Sequence, residues 1–187
     1  MNQLQSILNN YQKLCGYCDS IWGRVRGAYP DEIACREGCG ICCELRSVNQ
    51  IEAYVIRAFI RDNGIDGLNN ANNINDVDNT SGINNNASDS CPFLTPPAQS
   101  CTIYPARPTI CRTHGLVLRS TEFPQSQQQA ASCPYNFPSV HPNDFPAELT
   151  VDIDNITKNL ARLNLAFCMV SGIDMDIDSR VLLHDLF

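Results

Sequence analysis

Cys35-Arg36-Glu37-Gly38-Cys39-Gly40-Ile41-Cys42-Cys43 places four thiols within nine residues. Cys39 and Cys42 have two residues between them, the spacing at which a chain wraps a single metal ion. Gly40 permits the tight turn whose amides can point at the sulfurs, and Gly38 supplies slack toward Cys35, one helical turn upstream of Cys39. Cys42 and Cys43 are neighbours, so their side chains diverge in most backbone conformations. One then faces a metal centre while the other faces a second centre or another side of the first.

Outward from this stretch the chain adds Cys91, Cys101, Cys111 and Cys133. The eight cysteines Cys35, Cys39, Cys42, Cys43, Cys91, Cys101, Cys111 and Cys133 are the candidate metal ligands. Eight thiolates equal two tetrahedral four-cysteine sets, or one four-iron cluster with four thiols to spare. Thiolates suit zinc and iron–sulfur alike, so the cofactor is expected to be zinc or an iron–sulfur cluster. Arg36, Arg107 and Arg112 lie beside or near cysteines in sequence and are candidates to offset the charge of such a centre. His114 follows Cys111 by three residues, a usable ligand spacing, though lone histidines are more often not ligands. Tyr104, Arg107 and Pro108 are expected to be scaffold between ligands.

Of the 11 cysteines, three fall outside this set. Cys15 and Cys18 sit on the apolar stripe of a predicted helix, and Cys168 lies between Phe167 and Met169. All three are expected to pack in a core as small hydrophobes.

The sulfur chemistry depends on compartment. The amino terminus shows neither a basic n-region nor an apolar h-region, so a cytoplasmic, reducing environment is expected, where clustered cysteine reads as metal or redox chemistry. The odd count and the adjacent Cys42-Cys43 pair also favour metal over disulfides, while a secreted, disulfide-stapled protein stays as an alternative. Thirteen Lys and Arg against 20 Asp and Glu give a net charge of −7. No basic run is present, so neither nucleic acid nor an anionic membrane is an expected partner. The longest apolar run, 165–170, is far short of a bilayer span.

The 187 residues suggest one mainly α domain over 1–187, its helices framing a loop-built metal centre. Leu4, Ile7, Leu8, Tyr11, Leu14, Cys15, Cys18, Ile21 and Trp22 predict an amphipathic helix over 3–22, after which Gly23 and Gly27 loosen the chain. A second helix is predicted over 48–62, capped by Ser47 with Gln50 and carrying Val48, Ile51, Val55, Ala58 and Phe59 on one face. Residues 63–90 hold ten Asn with Asp, Ser and Gly at no period, a low-complexity insertion. Six prolines between 92 and 124 forbid a long helix there. Leu116-Val117-Leu118 suggests a short strand after Gly115, and 125–132 a solvated connection. The last clear helix spans 151–171, with Ile153, Ile156, Leu160, Leu163, Phe167 and Val170 on one face and Gly172 as its stop. A short helix from 179 to 187 is expected to pack back. Asp174, Asp176 and Asp178 have the spacing that opens a calcium loop, but Ser179 stands where glycine is needed, and the match is read as chance.

Cys35-x-x-x-Cys39-Gly-x-Cys42-Cys43, then Cys91-Pro92-Phe93-Leu94, then Cys101-x-Ile103-Tyr104-x-x-Arg107-Pro108-x-x-Cys111-Arg112 together resemble the YkgJ family of cysteine-cluster proteins, the CxxCxxCC type of zinc- or iron-chelating domain. The resemblance covers about residues 33–135 less the Asn-rich insertion, with Cys133 matching the family's final cysteine more loosely. It implies a metal site without specifying a reaction. A related cysteine module occurs in flagellin lysine N-methylases, where an iron–sulfur cluster is implied. This chain departs from the family in its Asn-rich insertion and in a first cysteine spacing one residue longer than the label.

The expected function is therefore metal binding through a cysteine cluster, in a structural or redox role. The alternative is an iron–sulfur oxidoreductase, electron carrier or accessory to a protein-modifying enzyme. Glycine-rich phosphate loops, HExxH and GxSxG are absent, and no α/β cofactor domain has room to form.

Overall fold

The computed structural model describes residues 2–65, 91–95, 100–122, 130–174 and 180–186. Most of the Asn-rich insertion, most of the 125–132 connection and the body of the Asp174–Asp178 run lie outside the described residues. The fold is mainly α with short strands. It forms two compact units, Met1–Glu37 with Arg107–Ser179, and Gly38–Ala106 with Arg180–Phe187.

The first unit is built on α1 (Gln3–Ala28), α3 (Thr109–Thr113) and α4 (Ile153–Ser171). Asn2 caps α1 by accepting from the Leu4 amide at 3.2 Å. The helix continues six residues beyond the predicted end, through both glycines. Those glycines cost about 1 kcal/mol each. Burying Val25 returns about 1.5–3 kcal/mol, and Arg26, 5.4 Å over the Trp22 ring, adds about 0.5–1 kcal/mol. Val25 extends the stripe of Cys18 and Ile21 into a core shared with Leu116, Val117, Phe137, Phe145, Val151 and Ile156.

Strands β4 (Leu118–Arg119), β5 (Ala130–Ala131) and β6 (Val151–Asp152) form a small sheet, ordered β5-β4-β6. β4 pairs antiparallel with β5 and parallel with β6. The predicted strand after Gly115 thus lies two residues later, because Leu116 and Val117 turn fully into the core while Leu118 and Arg119 face pairing partners. Ala130 is buried in the sheet, so this end of the predicted connection is structural. α4 begins at Ile153, since Val151 and Asp152 are taken by β6 and Asp152 caps the helix by accepting from the Asn155 amide. It ends as predicted at Gly172, in the left-handed conformation with φ 66°.

In the second unit β1 (Ser47–Val48) precedes α2 (Gln50–Asp62) and pairs antiparallel with β7 (Val181–Leu182). The predicted cap shifts by two residues: Asn49 and Glu52 form the capping box, the Asn49 amide donating to Glu52 at 3.3 Å. Ser47 instead holds β7, its hydroxyl and carbonyl both accepting from Arg180. The buried residues of α2 are Ile51, Glu52, Ala53, Ile56 and Ile60, so its apolar face has a phase different from the predicted one. Val55, Ala58 and Phe59 are only half-buried.

The predicted carboxy-terminal helix is replaced by β7 and a 3-10 turn, Leu183–Leu186. Leu183 and Leu186 enter a core with Val48, Ile56, Phe93 and Ile103. The segment does pack back, as strand and turn, because β1 offers it an edge. β2 (Leu94–Thr95) and β3 (Ser100–Cys101) pair antiparallel, placing Leu94 opposite Cys101. Among the described residues the helical elements of the Pro-rich stretch are short, the 3-10 turn Tyr104–Ala106 and the five-residue α3, as its prolines require.

Candidate metal centre

Cys35 belongs to the first unit, whose opening segment ends two residues later at Glu37. Residues 34–43 form turns without helix. Within them the Cys43 amide donates to the Gly40 carbonyl at 3.0 Å. The left-handed glycine is Gly38, φ 86°, rather than Gly40.

The second unit carries Cys39, Cys42, Cys43, Cys91 and Cys101. The Cys91 amide donates to the Cys43 carbonyl at 2.7 Å, tying the two halves of the motif together through the backbone. β2 and β3 bring Cys101 to the same hairpin. Burial pushes the Cys91 thiol above its ordinary range, and the nearby Cys101 charge pushes in the same direction, against a hydrogen bond from the Phe93 backbone. A metal cation would supply the opposing charge that such thiols need to ionise.

The first unit carries Cys35, Cys111 and Cys133. Cys111 sits on α3, which His114 terminates. Asp19 on α1 braces this helix. It accepts from Arg107 at 2.8 Å and from Arg112 at 2.5 Å. The Arg112 Nε donates to the Arg107 carbonyl at 2.9 Å, and the Trp22 indole donates to the Arg112 carbonyl at 2.8 Å. Two of the three arginines proposed to offset thiolate charge are therefore engaged with a carboxylate. Arg36 is exposed.

Cys133 lines an open groove of about 430 Å³ with Asn136, Phe137 and His141. Phe137 adopts φ 58°, which a bulky residue rarely does. Its ring is held between Tyr29 and Phe145, at 6.1 and 4.7 Å, and its amide donates to the Glu32 carbonyl at 2.7 Å. Asp19 and Asn136 carry no motif or period in the sequence, and Trp22 is marked there only as part of the apolar stripe of α1, not as a hydrogen-bond donor to the cysteine-bearing helix. The only signal of Asn136 is its place three residues after Cys133, and Asp19 flanks the apolar stripe that Trp22 ends.

Exposure sorts the cysteines. Cys15, Cys18 and Cys168 are buried, as their stripes predict. Burial pushes the Cys18 thiol up to about 12, with the Cys15 and Asp19 charges adding to it, and burial also raises Cys168. The eight cysteines at chelating spacing are half-buried, or in the case of Cys42 exposed. As donors they fit zinc or iron, which soft thiolate sets select. Among the described residues no three His, Cys, Asp or Glu side chains gather into a metal-holding group. None of the described helices is long and apolar enough to cross a membrane.

A family model described as "Putative zinc- or iron-chelating domain", of the CxxCxxCC type, matches residues 34–134, more than half the chain. No curated protein and no solved structure matches.

Proposed function

We propose a function from one premise: the chain belongs to the CxxCxxCC family of zinc- or iron-chelating domains. It is a metal-binding protein whose ligands are drawn from Cys35, Cys39, Cys42, Cys43, Cys91, Cys101, Cys111 and Cys133. The observation that supports this reading is the division of its thiols. Those at chelating spacing lie on turns, short strands and a five-residue helix, within reach of solvent, while those on apolar stripes are buried. A ligand must be accessible to an incoming ion and must ionise, which a fully buried thiol resists. Sulfurs on loops can also be drawn onto a metal with little disturbance of helix packing. Apparent binding energies of about 10–16 kcal/mol for structural zinc are ample for such ordering.

Anaerobic purification without chelators, followed by elemental analysis and a visible spectrum, tests this. At least one metal centre per chain is expected. Zinc gives a colourless, redox-silent protein and an iron–sulfur cluster a brown, oxygen-sensitive one. A well-folded chain that emerges free of both metals would overturn the reading. A redox role, in electron transfer or beside a protein-modifying enzyme, follows only in the iron–sulfur case.

A further inference from the structure

Asn136 is buried, 3% exposed, and uses its side-chain amide completely. Its Oδ1 accepts from the Ala34 amide at 2.9 Å and the Cys35 amide at 3.3 Å. Its Nδ2 donates to the Gly115 carbonyl at 2.7 Å and to the Cys35 sulfur at 3.2 Å. Two lone pairs and two protons are thereby all engaged. The orientation is fixed by the partners, since backbone N–H groups only donate and the Gly115 carbonyl only accepts.

Three of these bonds would suffice to join two loops. The fourth is directed at a sulfur, and its surroundings give that sulfur a fixed seat. Gly115 has φ 91°, and a Cβ there would lie 2.8 Å from the Cys35 sulfur and 3.1 Å from both Asn136 Nδ2 and the Trp22 ring. The thiol thus docks against bare backbone. Phe137, the residue after Asn136, holds φ 58°, a strained conformation that persists only where packing over-determines it. Such strain beside a ligand clamp is where it is commonly stored.

We propose that Asn136 is a positioning residue for a metal-bound Cys35, holding its sulfur in the Gly115 seat and drawing charge from the thiolate through an N–H···S hydrogen bond. This rests on the metal-binding reading above. Partners of this kind tune a metal through its ligand, and their loss typically costs 10–100-fold in affinity.

Cobalt(II) is the probe, because thiolate-to-cobalt charge transfer reports the electron density on sulfur. C35S should weaken the band of the wild-type protein. N136A and N136D should each move it to lower energy, since sulfur loses its donor, and N136A should weaken cobalt binding about tenfold or more. In a C35S background neither Asn136 substitution should shift the band further, which a merely structural role would not produce. No thiolate band in the wild type overturns the metal-binding reading and this inference with it. A wild-type band that C35S leaves whole, that the Asn136 variants leave in place, or that they shift equally without Cys35 overturns the inference alone. Should both variants fail to fold, wild-type protein loaded with ¹¹³Cd decides: a through-hydrogen-bond coupling from the Asn136 side-chain amide to cadmium is expected, and its absence refutes the proposal.

Discussion

Cysteines identical in chemistry are given different work by their surroundings, and substitution should separate them. Cys39→Ser or Cys111→Ser removes a thiolate at chelating spacing and should release metal with much of the fold's stability, because metal binding is coupled to folding. Cys168→Ala removes only buried volume. It should cost on the order of 1–2 kcal/mol with metal retained. Cys15→Ala and Cys18→Ala should behave like Cys168→Ala. Metal analysis beside thermal melts distinguishes the two groups, and metal loss from the Cys15/Cys18 double variant would make that pair part of the site. Gly115→Ala meets two obstacles, a positive φ and the Cys35 sulfur. It should destabilise the chain by about 1–3 kcal/mol even in metal-free protein, read from denaturant melts. The ligand-type spacing of these cysteines is legible in the sequence, since it depends on neighbours along the chain. The seat of Cys35 is not, because Gly115 and Asn136 reach it from far along the chain.

α1 and α4 owe their positions to polar groups as well as to apolar stripes. Asp19 holds Arg107 and Arg112, whose side chains are 14% and 8% exposed against 41% for the carboxylate. Hydrogen bonds to charged groups are worth about 1.5–3 kcal/mol, and solvent at Asp19 reduces that. Asp19→Ala should therefore cost about 1–3 kcal/mol, and Asp19→Asn nearly as much; a change within 0.5 kcal/mol would show that α3 is held by its other contacts. Asp154, in the first turn of α4, accepts from the Ser120 hydroxyl at 2.6 Å and from the Thr121 amide and hydroxyl at 2.9 and 2.7 Å. The Ser120 bond foremost, then those of Thr121, hold its carboxyl at about 2 against an ordinary 3.8. Its contribution is complete above about pH 4 and disappears as pH falls toward 2, so Asp154→Asn should flatten the acid limb of a stability profile there. Cys18 acts at the other end. Its thiol is held at about 12 against an ordinary 9.0, chiefly by burial. The stabilisation is complete below pH 9 and is lost as pH rises toward 12, and Cys18→Ala should remove that part of the alkaline slope.

Each of the two units has its own apolar core, and each core draws on distant parts of the chain. The second unit is closed by β7 and the Leu183–Leu186 turn, so the end of the chain belongs structurally with residues beside the cysteine motif. The Asn-rich insertion is polar and aperiodic in sequence. Deleting 68–86 should leave melting temperature and metal content nearly unchanged, since lengthening or shortening a long loop alters closure entropy by only about 0.6 kcal/mol per doubling. Loss of metal on deletion would give the insertion a part in the site.

Local chemistry in the sequence decided the mainly α class, α1 and α4 with their buried cysteines, the Gly172 stop, the short elements of the Pro-rich stretch and the family of the cysteine motif. Each depends on periodicity, capping or spacing among residues close in the chain, and such signals survive without knowledge of the fold. Tertiary structure decided what depended on distant partners. α1 runs through two glycines because Val25 finds a core. Ser47 receives Arg180 instead of capping α2, and the final segment becomes strand because β1 presents an edge. Arg107 and Arg112 turn to Asp19, and Asn136 closes over Cys35. In each case long-range packing or pairing outweighed a local preference of about 1–2 kcal/mol, which no window of sequence contains.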